Sequence, residues 1–203
     1  MIHDETLIID SGGANVSSLL FAFERLGVPA RLSNDPADLA AASRAILPGV
    51  GAAGHAMARL SASGMDIAVR AFRGPLLGIC LGMQLLFECS DEGDTPTLGV
   101  VPGKVSALTP SPRLPSPHMG WNTLQSLRDD PLLAGISADD WFYFVHGYHV
   151  AADVDFPSLL ARTDYGTAIA AAVRCENYCG VQFHPERSGQ AGARVLRNFL
   201  ELR

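Results

Sequence analysis

Four short apolar runs organise the first half of the chain: Thr6 to Asp10, Val28 to Leu32, Ala45 to Leu47 and Leu76 to Ile79. Between the first two, Leu19, Leu20, Phe23 and Leu26 recur at helical spacing, with Asn15 placed to cap the start and Gly27 to end it. Met65 to Phe72 reads as a further helix, and helix formers from Leu81 to Phe87 follow the fourth run at once. Strands that are apolar throughout need cover on both faces, and helices in the crossovers provide it. The expected fold is α/β, with a mostly parallel central sheet flanked by helices.

The second half changes character. Short strand signals surround Pro102-Gly103 within Leu98 to Leu108. Asp140 to Val150, Ser158 to Thr163, Ala168 to Arg174 and Tyr178 to Gln182 read as a meander, which predicts a smaller antiparallel sheet from this half. Thr109 to Pro117 carries four prolines. Apolar flanks on both sides favour a surface loop over a linker, so 1–203 reads as a single domain. The last helix, Gly189 to Leu202, puts Val195, Leu196, Phe199 and Leu200 on one face.

Composition narrows the function class. The chain has 203 residues, 48% hydrophobic and 18% charged, which suits one domain with its own core. Lys and Arg number 15 against 21 for Asp and Glu, a net charge of −6, and no basic cluster occurs. That argues against nucleic acid or an anionic membrane as partner. No apolar run approaches the roughly 20 residues of a membrane span. The start, Met1-Ile2-His3-Asp4-Glu5, is acidic where a secretion signal is basic, and four cysteines are too few for a disulfide scaffold. A cytoplasmic location is expected. Cys175 and Cys179 have no second ligand pair at zinc spacing, so no metal is expected.

The strongest chemical signal is Gly78-Ile79-Cys80-Leu81-Gly82, a cysteine between a buried strand and a helix with glycine two residues to either side. This is the nucleophile-elbow pattern with Cys in place of Ser. A helix beginning there aims unpaired N–H groups at the sulfur, favouring a thiolate and offering the Leu81 N–H to an oxyanion. A buried structural cysteine between packing glycines is the alternative. A thiol nucleophile needs a base. Among six histidines, His184 stands out in Gly180-Val181-Gln182-Phe183-His184-Pro185-Glu186, where strand spacing points His184 and Glu186 the same way. Glu186 is then placed to fix the imidazole tautomer, although a half-buried His beside a surface Glu would look the same. Pro48-Gly49-Val50-Gly51 closes the third strand, either as an anion-binding loop or as a plain turn.

Together these segments resemble the class I (triad) glutamine amidotransferases. Leu98 to Gly103, Pro117-His118-Met119-Gly120-Trp121-Asn122 and Tyr143-Phe144-Val145-His146-Gly147-Tyr148 narrow the resemblance, with Asp10, Gly12 and Asn15, to the glutaminase subunits of imidazole glycerol phosphate synthase. The resemblance runs from about residue 6 to 203. It implies that Cys80 is the nucleophile, His184 the base and Glu186 its orienter. It implies that Gln84 helps hold L-glutamine, and that Gly49, Val50 and Gly51 join Leu81 around the oxyanion. Asn15, Trp121, Asn122, Tyr143 and Arg187 fall where such subunits meet a (β/α)8 synthase partner in a heterodimer. No organic cofactor or metal is implied. Ser11, Gly147 and Arg187 depart from the usual Tyr, Ser or Thr, and Lys. Rival readings are the glutaminase subunit of another synthase, a cysteine peptidase, and an inactive binding module. The Pro117 to Asn122 and Tyr143 to Tyr148 segments, Gln84 and the intact Cys80, His184 and Glu186 weigh against them in turn.

Overall fold

A computed structural model gives the fold and describes residues 5–12, 16–126, 128–152 and 156–203. In chain order the first half holds β1 (Thr6–Ile9), α1 (Val16–Leu26), β2 (Ala30–Ser33), α2 (Pro36–Ala41), β3 (Arg44–Gly49), α3 (Ala53–Ser63), α4 (Met65–Ala71), β4 (Leu76–Cys80) and α5 (Leu81–Leu85). Then follow β5 (Cys89–Ser90), β6 (Thr95–Pro96), β7 (Lys104–Ala107), β8 (His118–Thr123), β9 (Gln125–Ser126), β10 (Trp141–His146) and β11 (Tyr148–His149). The chain closes with β12 (Leu159–Asp164), β13 (Ala168–Cys175), β14 (Tyr178–Val181) and α6 (Gly189–Glu201), with 3-10 turns at Pro131–Leu133 and Pro185–Arg187.

Among the described residues the central sheet runs β2-β1-β3-β4-β14-β13-β12-β9. It is parallel from β2 to β14 and antiparallel from there to β9. Most of the second-half meander thus extends the central sheet. A separate antiparallel ribbon pairs β8 with β10, and β11, β7, β5 and β6 form a small sheet beside it. The run Asp140 to Val150, expected as one strand, breaks at Gly147. Its first part pairs with β8 and its second with β7.

Alternating side chains explain why the central strands are apolar throughout. Leu7, Ile9, Ala45, Leu47 and Leu76 pack on one face with α2, α3 and α4, while Ile8, Ile46, Leu77 and Ile79 pack on the other with α1 and α6. Each fully buried Leu, Ile or Phe contributes about 1.5–3 kcal/mol over its exposed state. Two helices, α2 and α3, go beyond the sequence reading. The buried stripe of α3 is Ala53, Ala56, Met57 and Leu60, whose small residues give a weak periodic signal.

Two boundaries also move. Strand β2 starts at Ala30 rather than Val28, because the Gly27 and Val28 amides close the end of α1 on Glu24 and Phe23 carbonyls. The elbow helix α5 stops at Leu85 rather than Phe87. The carbonyls of Leu85, Leu86 and Phe87 are taken by the amides of Leu98, Val100, Val101 and Gly99 and by the Thr97 hydroxyl, so no further helical turn can form.

Candidate active site

Cys80 sits where β4 turns into α5, at φ 54° and ψ −112°, a conformation that L-residues seldom adopt. The glycines around it are required by close backbone approach. A Cβ on Gly82 would lie 1.7 Å from the Leu47 carbonyl oxygen, and one on Gly78 would lie 2.6 Å from that of Gly82. Gly49 is equally confined, its Cβ position 2.7 Å from the Gly82 nitrogen, which presses the loop after β3 onto the elbow. The Ser11 hydroxyl donates to the Pro48 carbonyl at 2.7 Å and anchors the entry to that loop. Val50, Gly51, Leu81, Gln84 and Cys80 all line one open cleft of about 710 Å³.

His184 faces the same cleft after β14. Its Nδ1 bonds Glu186 Oε1 at 2.8 Å, with both side chains buried. Glu186 reaches it through a 3-10 turn, Pro185–Arg187, rather than through continued strand spacing. Ser188 braces the turn by donating to the His184 carbonyl while accepting from the Tyr143 amide. Burial opposes charge on the imidazole. The Cys80 sulfur and then the Glu186 carboxylate outweigh it and lift the pKa to about 10. Nε2 is buried and completes no hydrogen bond among the described residues. A sulfur and a carboxylate-bound imidazole thus share one cleft, the two parts that a nucleophile with its base requires.

The class I glutamine amidotransferase family profile matches residues 7–202. The imidazole glycerol phosphate synthase subunit HisH of Xanthomonas axonopodis pv. citri is 52% identical over 198 residues, covering 98% of both chains. The same subunit of Xylella fastidiosa strain Temecula1 is 51% identical over 198 residues, again covering 98% of each. The chain belongs to the HisH family of class I glutamine amidotransferases.

Solved structures share the fold at lower identity. One glutamine amidotransferase superposes with a TM-score of 0.75 at 20% identity, covering 96% of this chain and 97% of the other. The PurLQS structure from Thermotoga maritima reaches 0.71 at 19% identity, covering 97% of each chain.

The remaining HisH-type positions divide. Trp121 and Tyr143 are cross-strand partners in the β8–β10 ribbon, their rings 5.8 Å apart, and the Arg187 guanidinium lies 4.2 Å from the Tyr143 ring centre. Asn122 is not part of this group. Its amide donates to the Asp164 carbonyl at 2.8 Å and ties the ribbon to the end of β12. Asn15 lies outside the described residues. Gln84 is 5% exposed, and its amide nitrogen donates to the Tyr148 carbonyl and to Gln182 Oε1, both at 2.9 Å. Both amide hydrogens are thus committed, leaving the carbonyl oxygen as the polar atom Gln84 can offer a ligand.

Three further groups escaped the sequence reading. Glu92 lines the cleft and accepts from the Ala53 amide at 2.8 Å. Gln182, wholly buried, donates to Cys80 Sγ at 3.7 Å. The Val145 carbonyl accepts from the same sulfur at 3.7 Å. The backbone partner leaves no sequence signature, and Glu92 and Gln182 reach the site by tertiary folding alone.

Proposed function

We propose that the chain forms one amidotransferase domain that hydrolyses L-glutamine to glutamate and ammonia, with Cys80, His184 and Glu186 as its triad. The observation that carries this reading is a strained elbow cysteine facing a Glu186-bound imidazole across an open cleft. Cys80 Sγ attacks the substrate's side-chain amide carbon, and the carbonyl electrons move onto oxygen. The Leu81 N–H, at the first turn of α5 where helical bonds leave amides free, and the Gly49-Val50-Gly51 loop stabilise that oxyanion. The imidazolium protonates the departing nitrogen, ammonia leaves, and a thioester remains. Water, deprotonated by His184, then releases glutamate and restores the thiolate. Glu92 supplies a negative charge suited to the substrate's α-ammonium, and Gln84 Oε1 an acceptor.

In this reading the ammonia passes to a (β/α)8 synthase subunit, which uses it to form imidazole glycerol phosphate and an aminoimidazole carboxamide ribotide. The ribbon supports such a partner. Met119, Trp121 and Trp141 are 63%, 53% and 56% exposed, Tyr143 and Arg187 join them, and Arg187 also borders the cleft. Large exposed side chains on one face mark a protein contact. Four free thiols accord with action in the cytoplasm.

Glutamine hydrolysis measured on the chain alone, then with the synthase partner and its ligand, tests the reading. Low activity alone and strong stimulation in the complex are expected. Cys80→Ala should lose about 10³-fold or more in kcat. Full activity in that variant would overturn the nucleophile assignment, and equal activity with and without the partner would overturn the coupling.

A further inference from the structure

We propose that Gln182 is a further catalytic residue, holding its side-chain N–H on the Cys80 sulfur and stabilising it as the thiolate. This role rests on Cys80 being the nucleophile. A backbone atom fixes the direction of each bond in the chain that leads to it. The Tyr148 carbonyl can only accept, so the Gln84 atom 2.9 Å from it is the amide nitrogen. The second hydrogen on that nitrogen points to Gln182, so the Gln182 atom 2.9 Å away is its carbonyl oxygen. The other end of the Gln182 amide, the NH2 group, is thereby turned to Cys80 Sγ at 3.7 Å. His146 adds a second donor to the same Tyr148 carbonyl at 2.9 Å and is itself bonded to His118 at 3.1 Å.

The direction of this bond distinguishes the two forms of the sulfur. As a thiol, Sγ donates to the Val145 carbonyl and accepts from Gln182. As a thiolate it has no proton for Val145, and the Gln182 N–H becomes a charge-assisted bond. The donor comes from the buried side, because Gln182 is fully enclosed, so it does not occupy the cleft where substrate enters. Among the described residues, the other charged or titratable groups around Cys80 are His184 with Glu186 behind it, His146 at the end of β10, and Glu92, Tyr148 and Arg187 on the cleft walls.

Iodoacetamide labelling of Cys80, followed by mass spectrometry of its peptide across a pH series, tests this in the full-length protein. Gln182→Met keeps the volume and removes the donor. It should move the labelling midpoint up by about one pH unit and slow labelling near neutrality about tenfold. An unshifted midpoint in a folded Gln182→Met protein overturns the proposal while leaving the nucleophile assignment intact. Slow, unselective labelling of Cys80 in the wild-type protein overturns both. A second measurement needs no substitution. The side-chain amide resonances of Gln182 in the wild-type protein should follow the same midpoint as labelling, and resonances indifferent to Cys80 ionisation overturn the proposal.

Discussion

His184 and the pair His118 and His146 are buried imidazoles pushed in opposite directions. Cys80 and Glu186 raise His184 to about 10 against the pull of burial, whereas burial lowers His118 to about 4 and His146 to about 3. The raised His184 contributes stability that is fully present below its unfolded value of about 6.5 and is lost as pH rises through about 10. The depressed pair acts on the acid side. Below about 6.5 the unfolded chain takes up protons that the folded imidazoles refuse, so stability falls with pH toward 4 and below. Melting temperature recorded against pH should therefore decline at both ends. Glu186→Gln should flatten the alkaline decline, and His118→Phe, whose ring fits between Tyr165 and Phe144, should flatten the acid one. Unchanged limbs in these variants would contradict the assignments. The proposed triad was legible because each part is local, a cysteine between spaced glycines and a His-x-Glu, and the fold brings Cys80 and His184 to one cleft. Gln182 and Glu92 were not read as site residues: Gln182 stands two residues before His184, but only packing turns its amide onto the sulfur, and Glu92 has no local signal that it meets the cleft.

The elbow is a property of three adjoining elements rather than of its cysteine. β3, β4 and the start of α5 approach so closely that a single methyl at Gly82 would overlap the Leu47 carbonyl, 1.7 Å away. Gly82→Ala is expected to cost about 3 kcal/mol or more and to abolish activity, because backbone rather than a flexible side chain must yield. Gly27→Ala is the control. It sits at positive φ, 70°, but its Cβ would meet nothing within 4 Å, so only the backbone cost of about 1–2 kcal/mol applies. Denaturation midpoints of the two variants separate crowding from conformational strain, and similar losses would contradict that separation. The shortness of α5 belongs to this scale as well. Helix formers continue past Leu85, but the loop at 97–101 takes the carbonyls that another turn would need.

At the scale of the molecule, the cleft opens beside a ribbon that stands apart from the central sheet, its inner face packed through Phe142 and Phe144 and its outer face carrying exposed Met119, Trp121 and Trp141. Its exposed aromatic side chains stand next to Arg187, one residue beyond Glu186, so a partner docked there touches the turn that carries Glu186. Trp121→Ala should weaken binding to the synthase partner about 30-fold or more. It should change stability by no more than about 0.5 kcal/mol, since the indole is 53% exposed. Titration calorimetry and thermal melting of the same variant check both halves, and unchanged affinity would remove Trp121 from the interface.

The α/β architecture, helices α1, α4 and α6, and the elbow were determined by the sequence itself. Apolar runs without alternation demand two covered faces, and a cysteine between close-packed glycines demands a sharp turn; both are local constraints on the backbone. Tertiary structure alone decided that most of the meander extends the central sheet, that the Asn122 amide ties the ribbon to the end of β12, and that a buried glutamine amide is turned onto the sulfur. These depend on which distant groups compete for the same carbonyls and faces, and that competition is settled only when the whole chain has packed.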